Sequence, residues 1–147
     1  MRTHFLTAVV VFISTVLLIY LTPLKWLNLV EPKVEDVLSQ LFYQELQKNP
    51  EKILFIDVRP SDVYEKEHVT GSINMPLHTL YDERYNLPKS GKKIVLICGG
   101  GRASGVGYGY LEHYGFHNLQ RIAGGIEAWK EAGLPTTAAF SPEESSI

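Results

Sequence analysis

The sequence predicts an α/β fold, with a small parallel sheet that carries helices on both faces and follows one N-terminal transmembrane helix. Two apolar runs, within 53–58 and 92–97, are typical of parallel strands buried on both sides. Segments with helical spacing alternate with these strands, which indicates βα units. At the amino terminus, no Asp, Glu, Lys or Arg occurs between Arg2 and Lys25, a length that suits a membrane span.

The overall composition allows one globular domain besides this N-terminal segment. The 147 residues are 45% hydrophobic and 20% charged, with a formal net charge of −2, so a nucleic-acid partner, which favours a basic surface, is not expected. The one cysteine excludes an internal disulfide, a CxxC redox pair and a cysteine-rich zinc site. The five histidines form no ligand-like cluster, and we expect neither a metal nor a cofactor.

The uncharged N-terminal stretch is expected to anchor the chain in a membrane. As a helix it would span about 30 Å, the thickness of a bilayer core. It lacks the small-x-small site of a cleaved signal peptide, and a core helix is rarely apolar all round, so these two alternatives are less favoured. We predict an anchor and linker at 1–32, a domain at 33–140 and a polar tail at 141–147. The domain of this single-pass protein is expected on the non-cytoplasmic side, periplasmic or extracellular.

The domain is predicted to begin with a helix over 33–49. Apolar residues recur there at helical spacing, and Asn49-Pro50 ends the pattern. The strand at 53–58 follows this helix directly. Ser61 is the predicted N-cap of the polar segment that comes next, 61–68.

The second half of the domain continues the alternation of strands and helices. The predicted elements are, in order, loops at 71–76 and 81–88, a strand at 92–97, a helix at 103–114, a short strand at 119–123 and a helix at 126–132. Gly115 and the Gly133-Leu-Pro135 segment are helix-ending signals. This pattern leaves the order of the strands in the sheet open.

The one cysteine, Cys98, lies where the strand at 92–97 meets a glycine-rich loop. Six of the twelve glycines fall between Gly99 and Gly109. In open parallel sheets, ligands bind at the carboxyl ends of the strands. A three-glycine loop before a helix lets several backbone N–H groups converge on an anion, and the helix dipole adds to their effect. We therefore predict a thiolate nucleophile at Cys98, against the alternative of an inert buried cysteine.

Several known loop chemistries are excluded by the letters themselves. The dinucleotide pattern GxGxxG and the P-loop pattern are both absent. A cysteine phosphatase loop needs arginine six residues after the cysteine to clamp the phosphate, and Ser104 stands there. The zinc-protease pattern HExxH is also absent. Phosphoryl and metal chemistry are therefore disfavoured.

Four segments in series make the pattern specific. They are FIDVR at 55–59, YEKEHVTGSINMP at 64–76, IVLICGGG at 94–101, and LQRIAGGIEAW at 119–129 followed by AGLP at 132–135. With these segments, the chain from about Val34 to Thr136 resembles a single rhodanese domain of the sulfurtransferase family. The resemblance covers about 100 residues and implies the rhodanese-like form of the α/β fold.

The resemblance implies transfer of a sulfane sulfur through a cysteine persulfide, without a cofactor. Cys98 would attack the outer sulfur of a small sulfur-containing anion, such as thiosulfate, or of a protein persulfide. The substrate-binding groups would be the backbone amides of Gly99, Gly100, Gly101, Arg102 and Ala103 and the hydroxyl of Ser104. Asp57, Arg59 and His68 match family positions, and we expect them to support the structure: the first two as an ion pair, the third through backbone hydrogen bonds.

The active loop departs from the family pattern in one position. Many active members have Arg or Lys five residues after the cysteine, where it meets an anionic donor, whereas this chain has Ala103. The loop's own cation is Arg102, one residue earlier. Thiosulfate is therefore less well supported as the donor than persulfide chemistry in general. The alternative to an enzyme is a membrane-tethered module of the same fold that binds a partner or senses oxidants through Cys98.

Overall fold

The computed structural model describes residues 2–21 and 34–138. The chain divides into two compact units, Met1–Lys33 and Val34–Ile147. Residues 22–32 of the predicted anchor and linker, and the predicted polar tail at 141–147, lie outside the described residues. The two units are therefore considered one at a time.

The first unit is a single helix, α1, which covers Arg2–Leu21. Two hydroxyls in its middle donate to the backbone carbonyl of Val11, from Ser14 at 2.9 Å and from Thr15 at 2.7 Å. Such bonds satisfy hydroxyls within an apolar helix. Across 2–21 and 34–138, no helix combines the length and the apolar character that crossing a membrane requires. The transmembrane helix predicted within 1–32 is thus not supported by the structure and stays a prediction from sequence.

The second unit is built on a parallel sheet. In chain order the strands are β1 (Asp36–Val37), β2 (Ile53–Asp57), β3 (Glu67–Val69), β4 (Ile73–Asn74), β5 (Lys93–Ile97), β6 (Leu119–Ile122) and β7 (Thr136–Ala138). Five of them form one sheet in the order β1-β6-β5-β2-β4, with every neighbouring pair parallel. Strands β3 and β7 form a separate antiparallel pair. Strand β5 is therefore central, and its carboxyl end carries the cysteine.

Helices cover both faces of this sheet. The helices of this unit are α2 (Ser39–Lys48), α3 (Ser61–Lys66), α4 (Leu80–Glu83), α5 (Arg102–His113) and α6 (Gly125–Glu131), with 3₁₀ turns at Pro50–Lys52 and Arg84–Asn86. One hydrophobic cluster joins the sheet to α4 and α5 through Leu80 and Leu111. The other joins it to α2 and α6 through Phe42 and Trp129. The predicted α/β fold with helices on both faces is confirmed.

The first predicted helix, 33–49, is wrong over its first third. Helix α2 begins only at Ser39, and Asp36 and Val37 instead pair in parallel with β6. The carbonyls of Glu35 and Val37 each accept a backbone hydrogen bond from the β6 region at 3.0 Å. These bonds to residues far along the chain outweigh the local helical spacing, because a sheet edge offers partners that periodicity does not report.

Other short elements also differ from the sequence prediction. The predicted loops at 71–76 and 81–88 contain the two-residue strand β4 and the end of α4 with its 3₁₀ turn. Ser61 is the first residue of α3, with Pro60 in the N-cap position, and its hydroxyl donates to the Asn74 side chain at 2.8 Å. Strands this short depend on their neighbours rather than on their own sequence, so the pattern did not reveal them.

The orientation of α2 provides a test of the core. Phe42 is fully buried, with its ring centroid 4.7 Å from that of Phe55, whereas the neighbouring Leu41 is 58% exposed. We expect Phe42→Ala to lower the free energy of unfolding by about 3–5 kcal/mol, since it removes a packed ring. The matched change Leu41→Ala should cost less than about 0.5 kcal/mol. Urea denaturation of the full chain measures both, and equal effects would contradict this packing.

Candidate active site

Cys98 lies at the carboxyl end of the central strand, at the start of a tight loop. The loop runs from Gly99 to Gly101, and α5 begins at Arg102. Gly101 has φ +93°, a left-handed conformation that glycine adopts without strain. The Cys98 side chain is only 2% exposed. The thiol is therefore buried next to the loop, at the carboxyl ends of the strands, where parallel sheets bind their ligands.

The start of α6 fixes the carbonyl groups of this loop. The amide of Ile126 donates to the Cys98 carbonyl at 2.8 Å, and that of Glu127 donates to the Gly99 carbonyl at 3.3 Å. A β-carbon on Gly125 would overlap both carbonyl oxygens, so only glycine allows this approach. In a trans peptide the N–H points away from the C=O. The amides of Gly99 and Gly100 consequently point away from α6.

The loop amides are available to a ligand. Within 34–138, the backbone N–H groups of residues 99–103 donate no hydrogen bond to a backbone or side-chain acceptor. Some of them are the first amides of α5, which have no acceptor within the helix. Unpaired amides at a helix N-terminus are the kind of donors that bind anions in other proteins. The sequence-predicted amide groups of Gly99, Gly100, Gly101, Arg102 and Ala103 are thus brought together.

The Ser104 side chain is within hydrogen-bond distance of the sulfur. It is fully buried, and its Oγ lies 3.3 Å from Cys98 Sγ and 3.1 Å from the Gly101 carbonyl oxygen. A hydroxyl has one proton to donate. When the sulfur is a thiol, it can donate to Ser104 while Ser104 donates to Gly101. When the sulfur is a thiolate, the Ser104 hydroxyl can turn and donate to it.

The Gly101 carbonyl is crowded, which favours that turn. Besides Ser104, it accepts from the Gly105 amide at 3.1 Å and from Arg121 Nη1 at 3.0 Å. A carbonyl oxygen has two lone pairs, so three donors compete for it. The Ser104 hydroxyl can leave this carbonyl for the sulfur without leaving the oxygen unpaired.

Arg121 is a site residue that sequence reasoning missed. Its Nε and Nη2 bind the two carboxylate oxygens of Asp36 at 2.6 and 2.7 Å, and Nη1 reaches the active loop. Hydrogen bonding to Asp36 is the main cause that raises the pKa of Arg121, and the negative charge of the Cys98 thiolate adds to it. Asp36 is 85 residues away along the chain, so no local signal identified this cation beneath the loop.

Both a positive and a negative side chain lie near the surface of the cysteine loop. Arg102 is exposed, and Ala103 packs against the hydrophobic cluster of α5. A β-carbon on Gly100 would lie 3.3 Å from a carboxylate oxygen of Glu127, so an acidic group stands beside the loop. The sequence did not reveal Glu127 as a site residue, because only the docking of α6 brings it there.

The predicted support residues lie on the next strand and beyond it. Asp57 is fully buried, and the Arg59 guanidinium holds its carboxylate with Nη2 at 2.6 Å and Nε at 2.9 Å. Arg59 Nη2 also donates to the Glu67 carbonyl at 2.7 Å. His68 Nδ1 lies 2.9 Å from the Tyr64 carbonyl oxygen, and its ring stacks on the Tyr64 ring. In the described part of the chain none of the three forms a hydrogen bond with Cys98.

Asp57 nevertheless lies next to β5, the strand that leads to Cys98. It is opposite Ile97 in the β2–β5 pairing, one residue before Cys98. Its ion pair with Arg59 occupies both carboxylate oxygens, which leaves it as an anchor for the turn after β2. In the described part of the chain, no three His, Cys, Asp or Glu side chains are grouped to hold a metal ion.

Comparison with known proteins agrees with this geometry. The family model described as Rhodanese-like domain matches residues 40–132. Adenylyltransferase and sulfurtransferase UBA4 of Saccharomyces cerevisiae is 32% identical over 111 residues, which is 67% of this chain and 25% of that protein. An uncharacterized protein of Synechocystis is 34% identical over 94 residues, 63% of this chain and 51% of that protein. The chain therefore spans between about a quarter and a half of these relatives.

Solved structures match the same fold. A rhodanese-related protein from Thermoplasma volcanium superposes with a TM-score of 0.60 at 26% identity, over 70% of this chain and 97% of that one. A thiosulfate sulfurtransferase from Pseudomonas aeruginosa gives a TM-score of 0.65 at 19% identity, over 76% of this chain and 21% of that one. At that lower identity, the likeness concerns the fold alone.

The contact between Ser104 and Cys98 can be tested directly. Ser104→Ala removes the hydroxyl that stabilises the thiolate, and a hydrogen bond to a charged group is worth about 1.5–3 kcal/mol. We expect the rate of Cys98 alkylation by iodoacetamide, at neutral pH in the full chain, to fall roughly 10- to 100-fold. Ser90→Ala, at an exposed turn position, is the matched control. An unchanged rate in Ser104→Ala would show that the hydroxyl does not stabilise the sulfur anion.

Proposed function

This chain belongs to the rhodanese-like domain family, and we propose that it is a sulfurtransferase that carries a sulfane sulfur as a persulfide on Cys98. The single observation that carries this proposal is the set of unpaired loop amides beside the cysteine. A persulfide and a thiolate are both anions at neutral pH, so one cradle serves both states of the cycle. Relatives named as sulfurtransferases support the same chemistry, while their adenylyltransferase activity belongs to longer chains.

The proposed reaction has two displacement steps. In the first, the Cys98 thiolate attacks the outer sulfur of the donor, a new S–S bond forms, and the old S–S bond breaks. Its electron pair leaves with the rest of the donor, as sulfite from thiosulfate or as a thiolate from a persulfide. In the second, a thiophilic acceptor attacks the outer sulfur of the Cys98 persulfide, and the electron pair returns to Cys98. No outside oxidant or base is required once the thiolate is present.

The protein's contribution is electrostatic. The loop amides donate to the sulfur anion, and Ser104 turns its hydroxyl from the Gly101 carbonyl to Sγ, 3.3 Å away. Arg121 adds a positive charge beneath the loop while it holds Gly101 in place. Because these groups are fixed before the substrate arrives, they require little reorganisation during the transfer.

The surface charges favour a persulfide over thiosulfate as the donor. Thiosulfate carries two negative charges. The exposed cation next to the loop is Arg102, but the Glu127 carboxylate also lies beside the loop and would repel this anion. Ala103 supplies no charge where many family members have a cation. A donor that brings less negative charge to the site meets less repulsion from Glu127.

The central test uses Cys98→Ser beside the wild-type full chain. We expect wild-type protein treated with a persulfide donor to gain about 32 Da, one sulfur atom, and to pass it to cyanide, and we expect Cys98→Ser to do neither. Intact-mass spectrometry and thiocyanate release measure the two steps. Thiosulfate is tested in parallel, and Ser90→Ala is the control variant. Folded, reduced wild-type protein that gains no mass from either donor would contradict the proposal and favour a binding module.

We also propose that residues 1–32 attach this enzyme to a membrane, with the domain on the non-cytoplasmic side. The support is the absence of charge between Arg2 and Lys25. The double variant Val10→Arg/Ile13→Arg should release the chain from membranes, because arginine is costly in the bilayer centre. Extraction with alkaline carbonate measures attachment, and Val106→Arg is the control outside the stretch. Wild-type protein extracted as readily as the double variant would contradict attachment.

A further inference from the structure

Arg84 is a buried cation without an acidic partner among the residues that the structure describes. It is 6% exposed, and within 34–138 no carboxylate lies within ion-pair distance of it. In the same range, by contrast, ion pairs are formed by Arg59, Lys93, Arg121 and Lys130. Burying a charge is costly unless an opposite charge or several hydrogen bonds compensate for it. A bound anion would therefore stabilise the buried charge of Arg84.

Aromatic rings surround the guanidinium of Arg84. Its carbon lies 3.8 Å, 4.0 Å and 4.7 Å from the ring centroids of Tyr81, Tyr85 and Tyr114. It donates hydrogen bonds to the Tyr81 carbonyl and the Tyr85 hydroxyl. Cation–π contacts stabilise the charge in part. These neutral partners hold the guanidinium in one place and leave its net charge uncompensated.

A cavity of about 290 Å³ opens beside this guanidinium. It is lined by Arg84, Tyr85, Leu87, Lys89, Tyr114 and Phe116, and we name it the Arg84 pocket. Lys89 brings a second cation, whose Nζ donates to the Tyr114 carbonyl at 2.7 Å and lies 5.0 Å from the Phe116 ring centroid. Lys89 also has no carboxylate partner within 34–138. The pocket thus combines apolar and aromatic walls with two cations that have no carboxylate partner among the described residues.

The neighbouring acids do not neutralise the pocket. Asp82 and Glu83 precede Arg84 directly, but both are exposed. Glu83 accepts a hydrogen bond from the Asn86 amide at 3.1 Å and makes no ion pair with Arg84 among the described contacts. The chain's own nearby carboxylates are therefore turned to solvent rather than to the buried guanidinium.

We propose that the Arg84 pocket binds a small organic anion, in which a carboxylate or phosphate group is carried on a flat apolar body. The two cations meet the anionic group, and the rings and Leu87 cover the body. The volume is at the lower end of the range for small-ligand pockets. It admits a single ring with its acidic substituent rather than a large cofactor.

This pocket is separate from the site at Cys98. Leu87 and Lys89 precede β5, whereas Cys98 follows it. The five-residue strand places about 13 Å between its first and last residues. Tyr114 and Phe116 follow α5, whose first residue adjoins the cysteine loop. The ligand of the Arg84 pocket is consequently not the sulfur donor, and its binding does not depend on the proposed sulfurtransferase activity.

The test measures binding of defined probes to the full chain by isothermal titration calorimetry. Benzoate and phenyl phosphate should bind saturably, while benzamide, which has the ring without the charge, and acetate, which has the charge without the ring, should bind at least tenfold more weakly. Lys89→Gln, which keeps a donor for Tyr114, should weaken both anions about three- to tenfold. Arg84→Gln should abolish their binding. Lys66→Gln, an exposed lysine of α3, should leave it unchanged.

Several results would overturn the proposal. Absence of saturable binding by both aromatic anions is one, and benzamide binding as tightly as benzoate is another, since it would show an apolar pocket only. Equal affinities in wild type and Lys89→Gln would also contradict it. Because Arg84→Gln removes a buried side chain, its folding is checked by thermal unfolding, and Lys89→Gln decides alone if that variant is unfolded. Binding of an acidic peptide without binding of either small probe would overturn the assignment to a small ligand.

Discussion

The close contact between the start of α6 and the cysteine loop is the constraint on which the site depends. The backbone amides of Ile126 and Glu127 donate hydrogen bonds to the carbonyls of Cys98 and Gly99. The two segments can approach this closely because residue 125 is a glycine, without a β-carbon. Since each peptide unit directs its N–H opposite to its C=O, occupation of the carbonyls on one side leaves the loop amides free on the other. The proposed anion site is therefore a consequence of how α6 docks, as well as of the glycines in the loop.

A second network transmits the same constraint from the sheet edge. Arg121 ties Asp36 of β1 to the Gly101 carbonyl, and that carbonyl also accepts from Ser104, which contacts the sulfur. The edge strand, the loop and the buried hydroxyl thus form one connected set of hydrogen bonds. Because every member is bonded in the resting state, the loss of the thiol proton to solvent requires the rotation of only one hydroxyl within this set.

The two ends of α5 serve different chemistry. Its first amides face the cysteine loop, where they favour a sulfur anion. Tyr114, the residue that follows its last turn, contributes to the aromatic surroundings of Arg84, a buried positive charge that has no acidic partner within 34–138. One helix therefore separates a site whose charge is provided by backbone dipoles from a pocket whose charge is provided by side chains. The first suits a small reactive sulfur, and the second suits an organic anion.

The sequence by itself determined the features that depend on local order along the chain. The buried strands β2 and β5 follow from continuous apolar runs, and the cysteine, its glycine loop and Ser104 follow one another directly, so their chemistry could be predicted. The edge strands β1 and β4, the β3–β7 pair, Arg121 and Glu127 could not, because each owes its place to partners distant in the chain. Only the tertiary structure decided that Gly125 supports the cysteine loop and that Arg84 is buried with no acidic partner in the described part of the chain, since both depend on which surfaces pack together.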